Sequence, residues 1–459
     1  MACGVHLSHS RLASPAAAAI VRVSAQAWAC NRLFGEFHHV NASTSPNVAA
    51  SATATFELDG RYSWTRLAVS VVLATVGSAG MWSVVLVMPA VEQEFAIARA
   101  DAALPYTATM IGFALGNLLL GRVVDRFGIT PCLILAAVML GAGFAGAAMT
   151  HDIVAFSLLQ GALIGIGTSA SFGPLIADVS HWFRRRRGIA VAAAASGNYL
   201  AGAIWPMVLK DIVAEDGWRA AYFVVAATCI VVMIPLALML RRRIPPDAET
   251  DPNTVGRDPR TAGSVSLSPR ALQWLLAIAG IGCCVAMSMP QVHIVALCAD
   301  LGYGVTAGAE MLSIMVAGGV VSRLASGFLA DHIGGVRTLI LGSILQMLAL
   351  MLYLPFDGLT SLYVVSLVFG LSQGGIVPSY AIIVREYLPA REAGRRVGTV
   401  IMATVIGMAL GGWLSGLIYD WTGSYQAAFI NGIAFNALNI AVIALVLWRT
   451  KEAPPLGAA

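Results

Sequence analysis

One arginine stands where a charge is expensive. Arg323 lies inside an apolar stretch running from about residue 308 to 329, and no acid lies near it. A guanidinium at the centre of a membrane helix costs roughly 3 kcal/mol or more, so such arginines face a cavity or a partner. No internal counter-ion is in view. An anionic substrate would supply one, because the planar fork of donors matches a carboxylate. The competing reading is snorkelling: Gly327 is four residues further on, about 6 Å of helix, and a long side chain can reach a polar surface over that distance.

Other side chains that could touch a ligand are scattered through similar stretches. Asn198 and Tyr199 interrupt an Ala/Gly-rich run, and polar groups in lipid need partners, either across a cavity or on a neighbouring helix. Trp82 and Tyr380, with Gln160 and Gln373, also fall within apolar runs, where packing is the commoner role. Gln291 and His293 come late in another run; a titrating histidine could carry a proton, although one near an interface is more often simply hydrogen-bonded. The seven cysteines form no CxxC pair and no metal-ligand spacing, so neither a metal nor a cofactor is expected.

The elements that must position these residues are membrane helices. Hydrophobic residues make up 58% of the 459-residue chain and charged residues 11%, with a mean hydropathy of +0.78. Soluble domains carry about a quarter charged residues. The chain therefore reads as an all-α integral membrane protein, since its apolar runs are about 20 residues long, whereas barrel strands would be half that length and alternate in polarity. Twelve spans are expected, near 66–90, 103–121, 130–150, 153–178, 188–209 and 219–240, then 271–296, 308–329, 336–355, 360–384, 397–419 and 425–448. They divide the chain into an N-terminal six-helix bundle (63–243), a polar, Pro-rich cytoplasmic linker (244–270) and a C-terminal six-helix bundle (271–450). Residues 1–62 read as a disordered tail or a start-site extension, with a basic, acid-poor targeting segment as the alternative; residues 451–459 form a second tail.

Arginines in short loops, among them Arg122, Arg126, Arg184 to Arg187, Arg241 to Arg243, Arg337, Arg391, Arg395 and Arg396, fall on one side and place both termini in the cytoplasm. Only Lys210 and Lys451 are lysines among 28 basic residues, which suggests a GC-rich genome and hence a bacterial inner membrane. The net charge of +4 is spread over loops rather than gathered on one module, so no nucleic-acid partner is expected.

The chain also repeats itself. Gly121-Arg122-Val123-Val124-Asp125-Arg126-Phe127-Gly128 and Gly327-Phe328-Leu329-Ala330-Asp331-His332-Ile333-Gly334 both read G-x-x-x-D-x-x-G, and 206 residues separate Asp125 from Asp331. The same offset pairs Gly188 with Gly394, and Gly217 to Phe223 with Gly423 to Phe429. It pairs Arg323 with the neutral Asn117, so the repeat breaks at the residue of most chemical interest. Parallel six-span repeats place a binding site near the midplane between them, exposed alternately to either side.

This combination resembles the major facilitator superfamily, whose signature lies between helices 2 and 3, where Gly121, Asp125, Arg126 and Gly128 stand, with a weaker copy between helices 8 and 9. The resemblance covers roughly Arg66 to Arg449. It implies that family's fold, twelve transmembrane helices in two six-helix halves related by a pseudo-twofold axis. It also implies a cytoplasmic gate made by Gly121, Arg122, Asp125, Arg126 and Gly128 with Gly327, Asp331 and Gly334. An aspartate there can accept N–H bonds at a neighbouring helix N-terminus in one state and release them in the other. Within the family, Arg323-x-x-x-Gly327 is similar to helix 8 of monocarboxylate-transporter-like and oxalate:formate-antiporter-like members. So is the run His181-Trp182-Phe183-Arg184-Arg185-Arg186-Arg187-Gly188-Ile189-Ala190, followed by Ser196-Gly197 and Gly202. Gly319 stands where the animal monocarboxylate transporters carry an aspartate one turn before the arginine. No lysine lies between Val397 and Leu417, where the oxalate antiporters pair their arginine with one.

The expected function is secondary transport of a small organic anion, a carboxylate, by alternating access. Arg323, Asn198, Tyr199, Asn117, Trp82, His293 and Tyr380 are the candidate substrate residues. Transport would be coupled to protons or to an exchanged anion, in a monomer embedded in the bilayer. No G-x-x-x-x-G-K-[ST] loop is present to drive an ATP-powered pump. Exporting drugs or neutral solutes would make Arg323 structural. A transporter-like receptor would be favoured by a large soluble signalling domain, and the tails and linker are short or featureless. A membrane enzyme would need a His/Asp/Glu cluster within the spans, where acids are nearly absent.

Overall fold

The computed structural model describes residues 58–183, 186–242, 267–388 and 392–449. The expectations for 1–57, for linker residues up to 266, for Arg184, Arg185, Arg243 and Arg391, and for the C-terminal tail lie outside the described residues.

Among the described residues twelve helices are long and apolar enough to cross a membrane, and there is no strand. They are α1 (Arg61–Phe95), α2 (Arg99–Phe127), α3 (Ile129–Ala148), α4 (Ile153–Trp182), α5 (Gly188–Glu215) and α6 (Gly217–Met239), then α7 (Pro269–Asp300), α8 (Gly304–Ile333), α9 (Gly335–Leu352), α10 (Leu359–Tyr387), α11 (Gly394–Thr422) and α12 (Tyr425–Arg449). Twelve crossings bring the start of α1 and the end of α12 to one face, the terminal face; the other is the distal face. Several helices outrun the expected spans, because α2 and α8, at 29 and 30 residues, are about 45 Å long and continue past a bilayer core of about 30 Å.

The repeated motif has a local backbone explanation. Gly128 and Gly334 end α2 and α8 with φ of 87° and 84°, and their N–H groups bond Val124 O at 2.8 Å and Ala330 O at 3.0 Å. A side chain is disfavoured at positive φ, so the last glycine of each motif is a requirement of the turn. The two halves then meet chiefly where α1 packs on α7, α2 on α11 and α5 on α8. Within each half, small residues let backbones touch. A Cβ on Gly112 of α2 would lie 2.0 Å from Gly161 O of α4, and one on Gly374 of α10 would lie 2.1 Å from Gly319 O of α8.

Three helices that the hydropathy pattern predicts as continuous are interrupted. Helix α1 breaks at Ser78, and Trp205 Nε1 of α5 donates to Thr75 O at 3.0 Å beside the break. Helix α4 contains a π-turn over Gln160–Gly165 and breaks at residues 170–172, just before Gly173 and Pro174, whose ring nitrogen has no hydrogen to continue the ladder. Helix α10 breaks at Gly374 and Gly375. The breaks in α4 and α10 face Asn117 and Arg323: a Cβ on Gly173 would lie 2.4 Å from Asn117 Oδ1, and Gly374 O accepts from Arg323 Nε at 3.3 Å. Discontinuous helices at the midplane leave carbonyls free for side chains or cargo.

Candidate substrate site

Arg323 crosses from one half to the other. Besides its bond to Gly374 O, its Nη1 donates to Ala195 O of α5 at 3.1 Å, and its guanidinium carbon sits 4.1 Å from the Tyr199 ring centroid, also on α5. These contacts occupy Nε and Nη1. Among the described residues Nη2 makes no hydrogen bond and no carboxylate pairs with the group. A half-buried cation that stacks on an aromatic face and keeps one side of its fork open is a competent anion receptor. Snorkelling does not describe it, since its donors are held by the broken α10 and by α5.

Tyr199 has its place because of a glycine. A Cβ on Gly319 would lie 2.5 Å from Tyr199 Cε1, so the ring occupies the space that any side chain there would need. Trp82 of α1 completes the wall: its Nε1 donates to Asn198 O at 3.0 Å and to Asn198 Oδ1 at 3.2 Å, and a Cβ on Gly202 would lie 2.6 Å from Trp82 Cε2. The structure thus brings together Trp82, Asn198, Tyr199 and Arg323 from α1, α5 and α8.

The other three candidates lie elsewhere. Asn117 bonds its own helix, Nδ2 to Phe113 O at 2.8 Å. Tyr380 is fully buried within the C-terminal half, where it donates to Asn439 Oδ1 at 2.8 Å in a network with Ser343 and Asn436. His293 belongs to the distal end. Its Nε2 meets Gly412 O at 2.7 Å, which places a proton there and suits Nδ1 as acceptor for Tyr425 Oη at 3.1 Å. Buried beside the breaks, Gln373 accepts from Gln291 Nε2 at 2.7 Å through Oε1 and has no partner for Nε2.

A distal cluster was not singled out by the sequence reading. Arg99, 7% exposed, opens α2 and binds Asp300 of α7 through both terminal nitrogens at 3.0 Å, Glu92 at 2.6 Å and Tyr425 Oη at 2.6 Å. Asp420, from the end of α11, accepts from the backbone N–H of Arg99 at 2.9 Å and of Ala100 at 2.8 Å, capping α2 across the halves. Lys210 of α5 pairs with Glu310 of α8, which also accepts from Tyr363. The signal available in sequence was acids and bases at opposite ends of spans that the repeat makes neighbours.

At the terminal face the motif aspartates stand apart. Asp125 and Asp331 are exposed and make no hydrogen bond or ion pair among the described residues. The glycines differ in the same way. A Cβ on Gly412 or Gly416 of α11 would press on Tyr106 or on Arg99 O of α2 at 3.0 and 2.9 Å, whereas one on Gly121, Gly188, Gly327 or Gly394 would meet nothing within 4 Å among the described residues. Among the described residues no group of three His, Cys, Asp or Glu side chains could hold a metal.

A model of the Major Facilitator Superfamily matches residues 70–360 and 292–458. The chain is 28% identical over 369 residues to monocarboxylate transporter 13 of Rattus norvegicus, covering 80% of this chain and 83% of that one. It is 26% identical over 404 residues to monocarboxylate transporter 11 of Homo sapiens, covering 84% and 83%. It is also 21% identical over 340 residues to an uncharacterized MFS-type transporter, YhjX, of Escherichia coli, covering 72% and 82%. Among solved structures, a bacterial homolog of the human lysosomal transporter Spinster, in an inward-facing and occupied conformation, superposes with a TM-score of 0.68 at 14% identity, covering 86% of this chain and 99% of that one. With twelve membrane helices, two like halves and a family model that spans them, the chain belongs to the Major Facilitator Superfamily and is a multi-pass membrane transporter.

Proposed function

We propose that the protein carries a small organic anion, a carboxylate, across the membrane by alternating access, with Arg323 as the ionic partner of the cargo. The observation that carries this reading is the Arg323 guanidinium, held between the halves over Tyr199 with Nη2 unspent and no acid paired to it. Trp82, Asn198 and Tyr199 would wall the apolar part of the cargo. Relatives named monocarboxylate transporters favour the same substrate class.

Alternating access is supported by an asymmetry along α2 and α11, which run antiparallel. At the distal end Asp420 of α11 caps the start of α2, and Arg99 bridges to Asp300. At the terminal end Asp125 of α2 is free, and Gly121 and Gly394 face open space. A rocking motion that releases the distal clasp would bring Asp125 to the start of α11, where a carboxylate is favoured by the helix dipole, and Asp331 of α8 to the start of α5. The empty volume at Gly121 and Gly327 would be used in that second state. With the terminal face taken as cytoplasmic, this structure corresponds to the cytoplasm-open state.

The test is uptake into proteoliposomes of a panel of labelled monocarboxylates and dicarboxylates by wild type, Arg323→Ala and Arg323→Lys. Losing the buried partner of a hydrogen-bonded charge costs about 2–5 kcal/mol, so Arg323→Ala should reduce kcat/KM about 30-fold or more, and Arg323→Lys should restore part of it without the fork. A correctly inserted Arg323→Ala protein with normal carboxylate uptake would make the arginine structural and the cargo neutral. Imposing pH gradients and membrane potentials separately reads the coupled ion.

A further inference from the structure

A cavity of about 660 Å³ opens on the terminal face of the N-terminal half, away from the substrate site. Arg66, Arg126, Arg241 and Arg242 line it with Asp125, Asp178 and His181. Four arginines against two carboxylates leave two positive charges in excess before His181 is counted. Asp178 is already spent, held by Arg66 Nε and Nη2 at 2.8 Å each. Arg126 and Arg242 only stack on Phe127 and Tyr62, and neither they nor Arg241 pairs with a carboxylate among the described residues. Such an uncompensated cationic cavity calls for an anion.

The other half shows where the anion goes. There the amide of Gly335, first residue of α9, donates to both oxygens of Glu386, at 3.1 and 3.2 Å. By the 206-residue offset Gly335 corresponds to Ile129, first residue of α3, which borders the cavity and whose amide finds no acceptor among the described residues. The stretch before Gly394 is one residue longer than that before Gly188, so the offset here is one less than 206; counting back from the extended residue that ends each helix, Leu388 and Phe183, Glu386 corresponds to His181. The carboxylate that caps α9 is therefore replaced by an imidazole beside α3, and its place is part of the cavity.

We propose that this cavity binds a phosphate group, supplied in the membrane by the headgroup of an anionic phospholipid. Several features fit that group. Its oxygens can take the free amides of α3, the arginine forks and the Thr130 hydroxyl together. The volume exceeds what a lone carboxylate fills. The cavity also lies at the helix ends, the depth at which headgroups meet basic pockets between helices. Bound there, a lipid would touch Asp125 and Arg126 and so report membrane composition to the loop between α2 and α3.

Native mass spectrometry of the full chain tests this with dioleoylphosphatidylglycerol as probe and dioleoylphosphatidylcholine as the uncharged comparison. Wild type should retain one phosphatidylglycerol in preference to phosphatidylcholine. Arg126→Ala with Arg241→Ala should weaken retention about 30-fold, from two surface charges. Arg385→Ala with Arg395→Ala, which removes the same charge from the terminal face of the other half, should leave it unchanged. His181→Glu, which supplies the missing cap, should abolish retention while leaving the fold intact. Equal retention of both lipids, or a His181→Glu protein that binds as wild type does, would overturn the proposal. Displacement of the lipid by low-millimolar inorganic phosphate would assign the cavity to soluble phosphate, and resistance to it would assign the headgroup.

Discussion

Helices α2 and α8 are the same element in two halves, yet the arginine each encloses, buried in one and half-buried in the other, lies at a different depth and in opposite company. In α2 the arginine is the first residue, Arg99, enclosed by Glu92 and Asp300 and stacked on Tyr419; the repeat position in α8 is Val305. In α8 the arginine stands midway, Arg323, without a carboxylate, and the repeat position in α2 is Asn117, bonded to its own helix. A buried cation ringed by counter-ions is already satisfied, and removing one member leaves the others stranded, so it acts as a fastener. A cation between the halves without a carboxylate among the described residues leaves its charge open, which is what the proposed anion would use.

Four substitutions probe that contrast, the largest effect first. Arg323→Asn makes α8 a copy of α2 and should lower carboxylate uptake about 30-fold or more in proteoliposomes, with normal insertion; retained uptake would erase the distinction between the two helices. Arg99→Gln strands Glu92 and Asp300 and should open the distal face. A cysteine replacing the buried Ser415 on α11 should then label about tenfold faster with an impermeant thiol reagent added from the distal side. Tyr199→Leu removes the ring beneath Arg323 and should raise KM for the anion about 5-fold, from roughly 1 kcal/mol of cation–π attraction, while Tyr199→Phe keeps it near wild type. Asn117→Ala should change KM less than about 2-fold and cost about 0.5–1.5 kcal/mol of stability at most, because the lost hydrogen bond is internal to α2.

Much of the fold was legible because the bilayer restricts the answer: runs of about 20 apolar residues must be helices. The repeat offset was legible for the same reason, since equal helices joined by equal loops return to register. Helix breaks were harder. Gly374-Gly375 and Pro174 are plain in the chain, but membrane helices often absorb glycine and proline, and whether they interrupt depends on what takes up the freed carbonyl. At α10 that is Arg323, and beside the break in α1 it is Trp205.

The candidate site was legible residue by residue, and its assembly was not. Arg323 is conspicuous alone because its cost does not depend on its neighbours. Asn198, Tyr199 and Trp82 are ordinary residues until α1, α5 and α8 pack. Glu92, Arg99, Asp300 and Asp420 fall just outside the expected spans, because hydropathy assigns helix ends to water, whereas the halves press these ends together and bury Arg99.

Composition and periodicity by themselves determined a twelve-helix membrane protein with two like halves, a glycine-ended turn used twice and one misplaced arginine. These are local properties, set by what a segment of about 20 residues does in lipid. Only the tertiary structure decided which arginine is fastened and which is free, and which of two equivalent helix starts is capped. Those outcomes depend on partners from other helices, 201 residues away for Asp300 on Arg99 and 51 for Glu386 on Gly335, and charge has no fixed meaning until its neighbours are in place.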